Sequence, residues 1–169
     1  MSDWFRFWFY DTQLQSALSS ACKRNDLVFV IQIAGVKKFI LFADAEDNST
    51  NYISLDVNYY VSKTLFKRRS QRPIALDFDP VEDRVYWSEV NHGGIFTVFL
   101  NRTSVKILFY CNVQEPDGLA IDHVGRNIYW TDAGTKRIEV GRLDGTSRRV
   151  LIKDGLEEPR AIVLAERNG

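Results

Sequence analysis

The stretch NIYWTDAGTKRIEV, residues 127–140, decides the fold. A Tyr-Trp pair is followed by Thr and Asp, then a short polar loop, then an alternating apolar run. Forty-three residues upstream, RVYWSEVNHGGIFTV (84–98) follows the same plan. Pro73, Pro116 and Pro159 keep the same interval of 43. Residues 73–115 and 116–158 align without a gap and are identical at 12 of 43 positions. Leu76/Leu119, Asp79/Asp122, Ile95/Ile138, Leu100/Leu143 and Leu108/Leu151 are among them. A period of about 40–50 residues marks a repeat architecture, in which each unit buries its apolar face only against its neighbours.

Inside each unit the apolar period is two, which excludes a solenoid of helix pairs. RIEVGRL and RRVLI read as half-buried strands, and IALDF and LAID as shorter, more buried ones. Asp144-Gly145 between two such runs is a strong hairpin signal. The expected strands are about 74–79, 84–88, 94–99 and 105–110, then 118–122, 127–131, 137–142 and 148–152. Short connections make neighbouring strands antiparallel, and four-stranded antiparallel units at this period are propeller blades. An earlier, degenerate unit shows three strands, 38–44, 51–57 and 61–66, and no visible first strand. PRAIVL (159–164) reads as the first strand of a further unit. The chain is therefore expected to be all-β, an incomplete propeller of about three blades. Residues 1–36 are an appendage, 37–72 a partial blade, 73–115 and 116–158 blades, and 159–169 the start of a further blade.

Composition agrees with a packed domain. Of the 169 residues, 45% are hydrophobic and 26% charged, which argues against disorder. Lys+Arg and Asp+Glu balance at 22 each, so no basic field recommends nucleic acid. The longest apolar run, LVFVIQIAG (27–35), is far short of the roughly 20 residues a spanning helix needs. It follows Lys23 and Arg24 and is either a leader or a strand. The first 26 residues carry a clump of bulky aromatics and match nothing downstream.

YWTD at 129–132, with PDGLAID before it and RIEVGRLDGTSRRVLI and EPRAIVL after it, resembles the YWTD repeat of the low-density lipoprotein receptor family. The likeness covers roughly 38–164 and is strongest to the Wnt co-receptor and agrin-receptor branch. It implies a non-enzymatic, extracellular, six-bladed propeller on a cell-surface receptor. It further implies an EGF-like module, a distant membrane anchor, and secreted protein ligands such as Wnt antagonists on the loop face. The first two units depart from the pattern, with FADA (42–45) and YWSE (86–89). The basic pair expected in the first 2–3 loop is replaced by Ala45 and Glu46.

The motif residues Tyr86, Trp87, Ser88, Glu89, Tyr129, Trp130, Thr131 and Asp132 read as structural. The aromatics fill the wedge between blades. Asp132 and Glu89 are placed to accept backbone N–H groups or to meet a basic neighbour. Loops on a rigid scaffold are better candidates for recognition. In a four-stranded blade the 2–3 loop and the link to the next blade share a face. The candidates for partner contact on that face are Val90, Asn91, Asp117, Lys136 and Arg160. Asn48 and Asn101 head glycosylation sequons. Asn101 lies on the opposite face. Asn48 lies in a 2–3 loop expected to run about three residues longer than its counterparts.

His92 and His123 read as solvated loop residues, with endosomal sensing the sharper alternative. Cys111 reads as a buried small apolar residue, and nothing places Cys22 beside it. No metal, cofactor or catalytic constellation is legible, so a propeller hydrolase is disfavoured. Two further readings remain at this stage. The chain is an inert fragment, or two copies exchange strand 159–164 and close a six-bladed homodimeric ring.

Overall fold

The structure is a computed structural model and describes residues 27–32, 38–44, 48–56, 62–67, 72–101 and 104–165. Twelve strands form three four-stranded antiparallel sheets. The first holds β1 (Leu27–Gln32), β2 (Lys38–Asp44), β3 (Ser49–Ser54) and β4 (Ser62–Lys67). The second holds β5 (Pro73–Asp79), β6 (Arg84–Glu89), β7 (Gly94–Phe99) and β8 (Lys106–Phe109). The third holds β9 (Pro116–Asp122), β10 (Asn127–Asp132), β11 (Arg137–Arg142) and β12 (Arg149–Ile152). Each sheet runs in chain order from inner to outer strand. Pro73 and Pro116 open β5 and β9, where a missing N–H is tolerated.

Three expectations need correction. The first sheet has four strands: Leu27–Gln32, inside the stretch read as an appendage, pairs with β2 throughout its length. The apolar run LVFVIQ lacks alternation but forms a strand, a pattern that resembles a leader when read alone. Among the described residues, twelve strands make three four-stranded sheets. Residues 159–165 form no strand. They lie beside β9, where a Cβ on Gly118 would run into the Arg160 carbonyl. The vacancy that strand exchange between two copies would fill is occupied by β1. Lastly, four residues separate β2 from β3, as they separate β6 from β7 and β10 from β11. The first 2–3 loop is not longer; β3 starts earlier than the apolar residues alone suggest.

The sheets pack face to face, and the alternation of each strand divides its side chains between two cores. Phe39, Leu41 and Ala43 of the first sheet meet Leu76, Phe78, Val85, Trp87, Phe96 and Val98 of the second. On the other face of the second sheet, Ala75, Tyr86, Ile95, Leu108 and Phe109 meet Leu119, Ile121, Ile128 and Trp130 of the third. Adjacent residues of the Tyr-Trp pair therefore serve opposite junctions. Trp87 looks back to the first sheet and Tyr86 forward to the third, and both are fully buried. Tyr129, the counterpart of Tyr86, is only half-buried, on the face of the third sheet turned away from the second.

Candidate functional site: the loop face

In the second and third sheets the 2–3 loop and the link into the first strand meet at one end, and buried carboxylates hold them there. Asp132 closes β10 with no exposed surface. Its Oδ2 accepts the Gln114 N–H at 2.9 Å. Its Oδ1 accepts the N–H groups of Glu115 at 3.1 Å and Thr135 at 2.9 Å. One side chain thus ties the incoming link to the outgoing loop. Glu89 repeats the device in the second sheet. Its Oε1 accepts the N–H of Arg72 at 3.1 Å and of Asn91 at 2.8 Å, and its Oε2 that of His92 at 3.2 Å. A carboxylate accepting several backbone N–H groups fixes its donors in place. Backbone bonds reinforce both knots: Val90 N–H to Arg72 carbonyl, and Ala133 N–H to Glu115 carbonyl.

Loop backbone also repeats. Asn48, Gly93 and Lys136, each the fourth residue after the strand-ending acid, all have positive φ (53°, 67° and 56°). Asn and Gly suit that conformation, and Lys136 adopts it less readily. At Gly93 a second constraint applies, because a Cβ would coincide with the Val113 carbonyl of the next link.

The five sequence candidates fall on this face in separate groups. Val90 is half-buried beside exposed Asn91 in one loop. Lys136 is exposed in the corresponding loop of the third sheet. Asp117 and Arg160 are brought into contact: Arg160 Nη1 donates to Asp117 Oδ2 at 2.7 Å, and Nη2 donates to Glu158 Oε2 at 3.0 Å. These two carboxylates hold the Arg160 guanidinium above its ordinary pKa. Thr131 Oγ1 donates to the Arg160 carbonyl and accepts the Gly118 N–H at 2.8 Å. His92 is exposed, with Nδ1 3.9 Å from Glu89 Oε2.

Of the sequon residues, Asn48 ends the first 2–3 loop and Asn101 is exposed in the β7–β8 turn on the opposite face. Arg102 and Thr103 lie outside the described residues, as do Ala45, Glu46 and Cys22. Cys111 is exposed, contrary to expectation, because β8 ends at Phe109 and leaves it in the following turn.

Several anchors escape sequence reading. Arg126 of the third sheet reaches back to the second, donating to buried Asp79 at 2.7 Å and to Glu82 at 2.6 Å. Arg148 pairs with buried Glu139 at 2.8 Å, donates to the Cys111 and Asn112 carbonyls, and lies 5.3 Å from the Trp130 ring centre. Asp77 crosses from β5 to accept the Ile121 N–H at 2.7 Å. Burial pushes the Asp77 carboxyl up, against the pull of that bond, the Phe78 N–H and nearby His123. Burial also pushes the Tyr86 phenol up to about 12, so it stays neutral. Only the 43-residue spacing of Asp79 and Asp122 hinted at such bonds.

Among the described residues, no group of three His, Cys, Asp or Glu could hold a metal ion, and no helix is long and apolar enough to cross a membrane. The arrangement ties links and loops together through backbone N–H groups. It offers a rigid, polar, loop-built surface.

Residues 83–123 and 126–164 match the low-density lipoprotein receptor repeat class B. Among solved structures, a chain of a nidogen/laminin complex is 33% identical, with a TM-score of 0.69, covering 77% of this chain and 49% of that one. A luciferin-regenerating enzyme is 16% identical, with a TM-score of 0.62, covering 83% of this chain and 53% of its own. The second likeness is one of fold alone. The chain spans about half the length of each of these structures. No curated protein matches the chain.

Proposed function

We propose that this chain, which carries two low-density lipoprotein receptor class B repeats, is a non-enzymatic, extracellular protein-binding module of a receptor propeller. The observation that carries this reading is the pinning of the loop face by Glu89 and Asp132. A surface ordered before its partner arrives loses less conformational entropy on binding. The 33% identity to a chain of a nidogen/laminin complex supports a protein ligand. Val90, Asn91, Lys136 and the Asp117–Arg160 pair form the contact surface, and Asn48 and Asn101 carry glycans. A ligand of the Wnt co-receptor type, such as a secreted Wnt antagonist, is the finer form of this reading.

Arg160 is the proposed anchor, since an arginine already aligned by two carboxylates presents its remaining donors at little entropic cost. The test is biolayer interferometry of the immobilised chain against two purified probes, laminin and a secreted Wnt antagonist. The expected result is saturable binding to one probe. Asn91→Ala, Lys136→Glu and Arg160→Glu weaken it, while Val81→Ser with Val124→Ser, on the opposite face, leaves it unchanged. Binding lost through the opposite-face pair and kept by the loop variants would overturn the assignment.

A further inference from the structure

Charge is balanced over the chain, with 22 Lys or Arg and 22 Asp or Glu, but not over the third sheet. Residues 136–153 carry six Lys or Arg and two Asp or Glu. The corresponding span of the second sheet, 93–110, carries two and none. Arg142 donates to the Gly125 carbonyl, Arg148 pairs with Glu139, and Lys136 lies on the loop face. Arg137, Arg149 and Lys153 have no side-chain partner among the described residues. The sheet itself does not need cations at these places. Their counterparts Gly94 and Tyr110 carry no charge, and the third, Lys106, donates to the Asp144 carbonyl.

The three cations frame the outer edge of the sheet. β12 is the end strand, bonded to β11 on one side only. Arg149 begins β12 and Lys153 follows its end. Between them Val150, Leu151 and Ile152 are 40%, 46% and 47% exposed. Ile107, the counterpart of Val150 in β8, is 53% exposed, so an apolar outer rim recurs in both units. Arg137, Val150, Leu151, Ile152, Lys153 and Asp154 line a cavity of about 550 Å³. An end strand presents unpaired N–H and C=O groups to another chain. An extended peptide adds to such an edge through main-chain bonds, and the side chains along the edge select its sequence. A sulfated glycan would answer the cations alone. The apolar run between them and the open strand edge call for a polypeptide.

We propose that the outer edge of β12 binds an extended segment of a partner protein, apolar at its centre and acidic at both ends, as a fifth strand of the third sheet. Ile138 faces Ile152 across β11 and β12, which puts Arg137 at the Lys153 end of the edge. The acidic ends of the segment therefore meet Arg149 on one side and Arg137 with Lys153 on the other. Its central side chains lie on Val150, Leu151 and Ile152. Asp154 is the one carboxylate of the lining, against two cations. This edge lies outside the loop contacts named above, and its occupancy does not depend on what binds there.

The probe is a fluorescein-labelled peptide, Glu-Glu-Val-Ile-Val-Glu-Glu, titrated with the intact chain and followed by anisotropy. Saturable binding is expected, weaker as salt is raised. Arg137→Gln with Lys153→Gln should weaken it about tenfold. Lys63→Gln with Lys67→Gln, which removes the same charge from the end strand of the first sheet, should leave it unchanged. Failure of the acidic peptide to bind, or equal binding of Lys-Lys-Val-Ile-Val-Lys-Lys, would overturn the proposal. So would binding of a heparin fragment without binding of the peptide, which would mark an anionic glycan site instead. Amide hydrogen exchange then separates an added strand from a loosely held anion. With unlabelled peptide bound, exchange in 149–152 should slow; exchange there unchanged by bound peptide would also overturn the proposal.

Discussion

Asp132 shows how much one side chain can organise. It accepts three backbone N–H groups from two segments while fully buried. Asp132→Ala leaves those donors unpaired and is expected to cost about 2–4 kcal/mol in urea unfolding. Asp132→Asn keeps one acceptor oxygen and should cost less. Trp130→Ala, by contrast, removes a ring from the core, with an expected cost of about 3–5 kcal/mol. Asp77 gives a pH-dependent prediction. Its carboxyl is pushed above its ordinary value of 3.8. An acid with a raised folded-state pKa binds its proton more tightly in the native state. Its stabilising contribution is therefore full below the unfolded value and lost as pH rises through the native one. Thermal melts should show the unchanged chain gaining on Asp77→Asn as pH falls through that window. A difference that stays constant with pH would contradict this.

Repetition also governs the elements, down to backbone conformation. Asp83 and Arg126, 43 residues apart, have φ of 52° and 57°, and Asn112 and Gly155 have 53° and 75°. The Asp83 and Arg126 carbonyls accept the N–H groups of Leu100 and Leu143, again 43 apart. Neighbouring units are then bolted together by Arg126, whose partner Asp79 is fully buried. Arg126→Ala strands that carboxylate, with an expected cost of about 2–3 kcal/mol. The urea midpoint should fall while the slope is kept, since the exposed surface on unfolding is unchanged. The period, the strand alternation and the Tyr-Trp pair made the second and third sheets legible from sequence within one or two residues. β1 was hidden because its apolar run LVFVIQ lacks the alternation that marks the other strands. The five loop candidates were placed on one face by topology alone. The contacts that tie one sheet to the next could not be seen, since Arg126 reaches Asp79 47 residues away and Arg148 reaches the Cys111 carbonyl 37 residues away.

At the scale of the molecule, three sheets of equal construction stack with two equivalent junctions, and the loop face runs across them. This rigidity is what the proposed binding function requires, because Asn91, Lys136 and Arg160 hold their relative positions only if the junctions do. The most direct measurement is native-state hydrogen exchange followed residue by residue. The account predicts three protected blocks, 38–54, 73–99 and 116–142, with gaps at the 1–2 turns around Val81 and Val124. The N–H groups of Asn91, Gln114 and Thr135 should be protected although they lie in loops. Protection confined to a single block, or loop amides exchanging at the rate of an open chain, would contradict it.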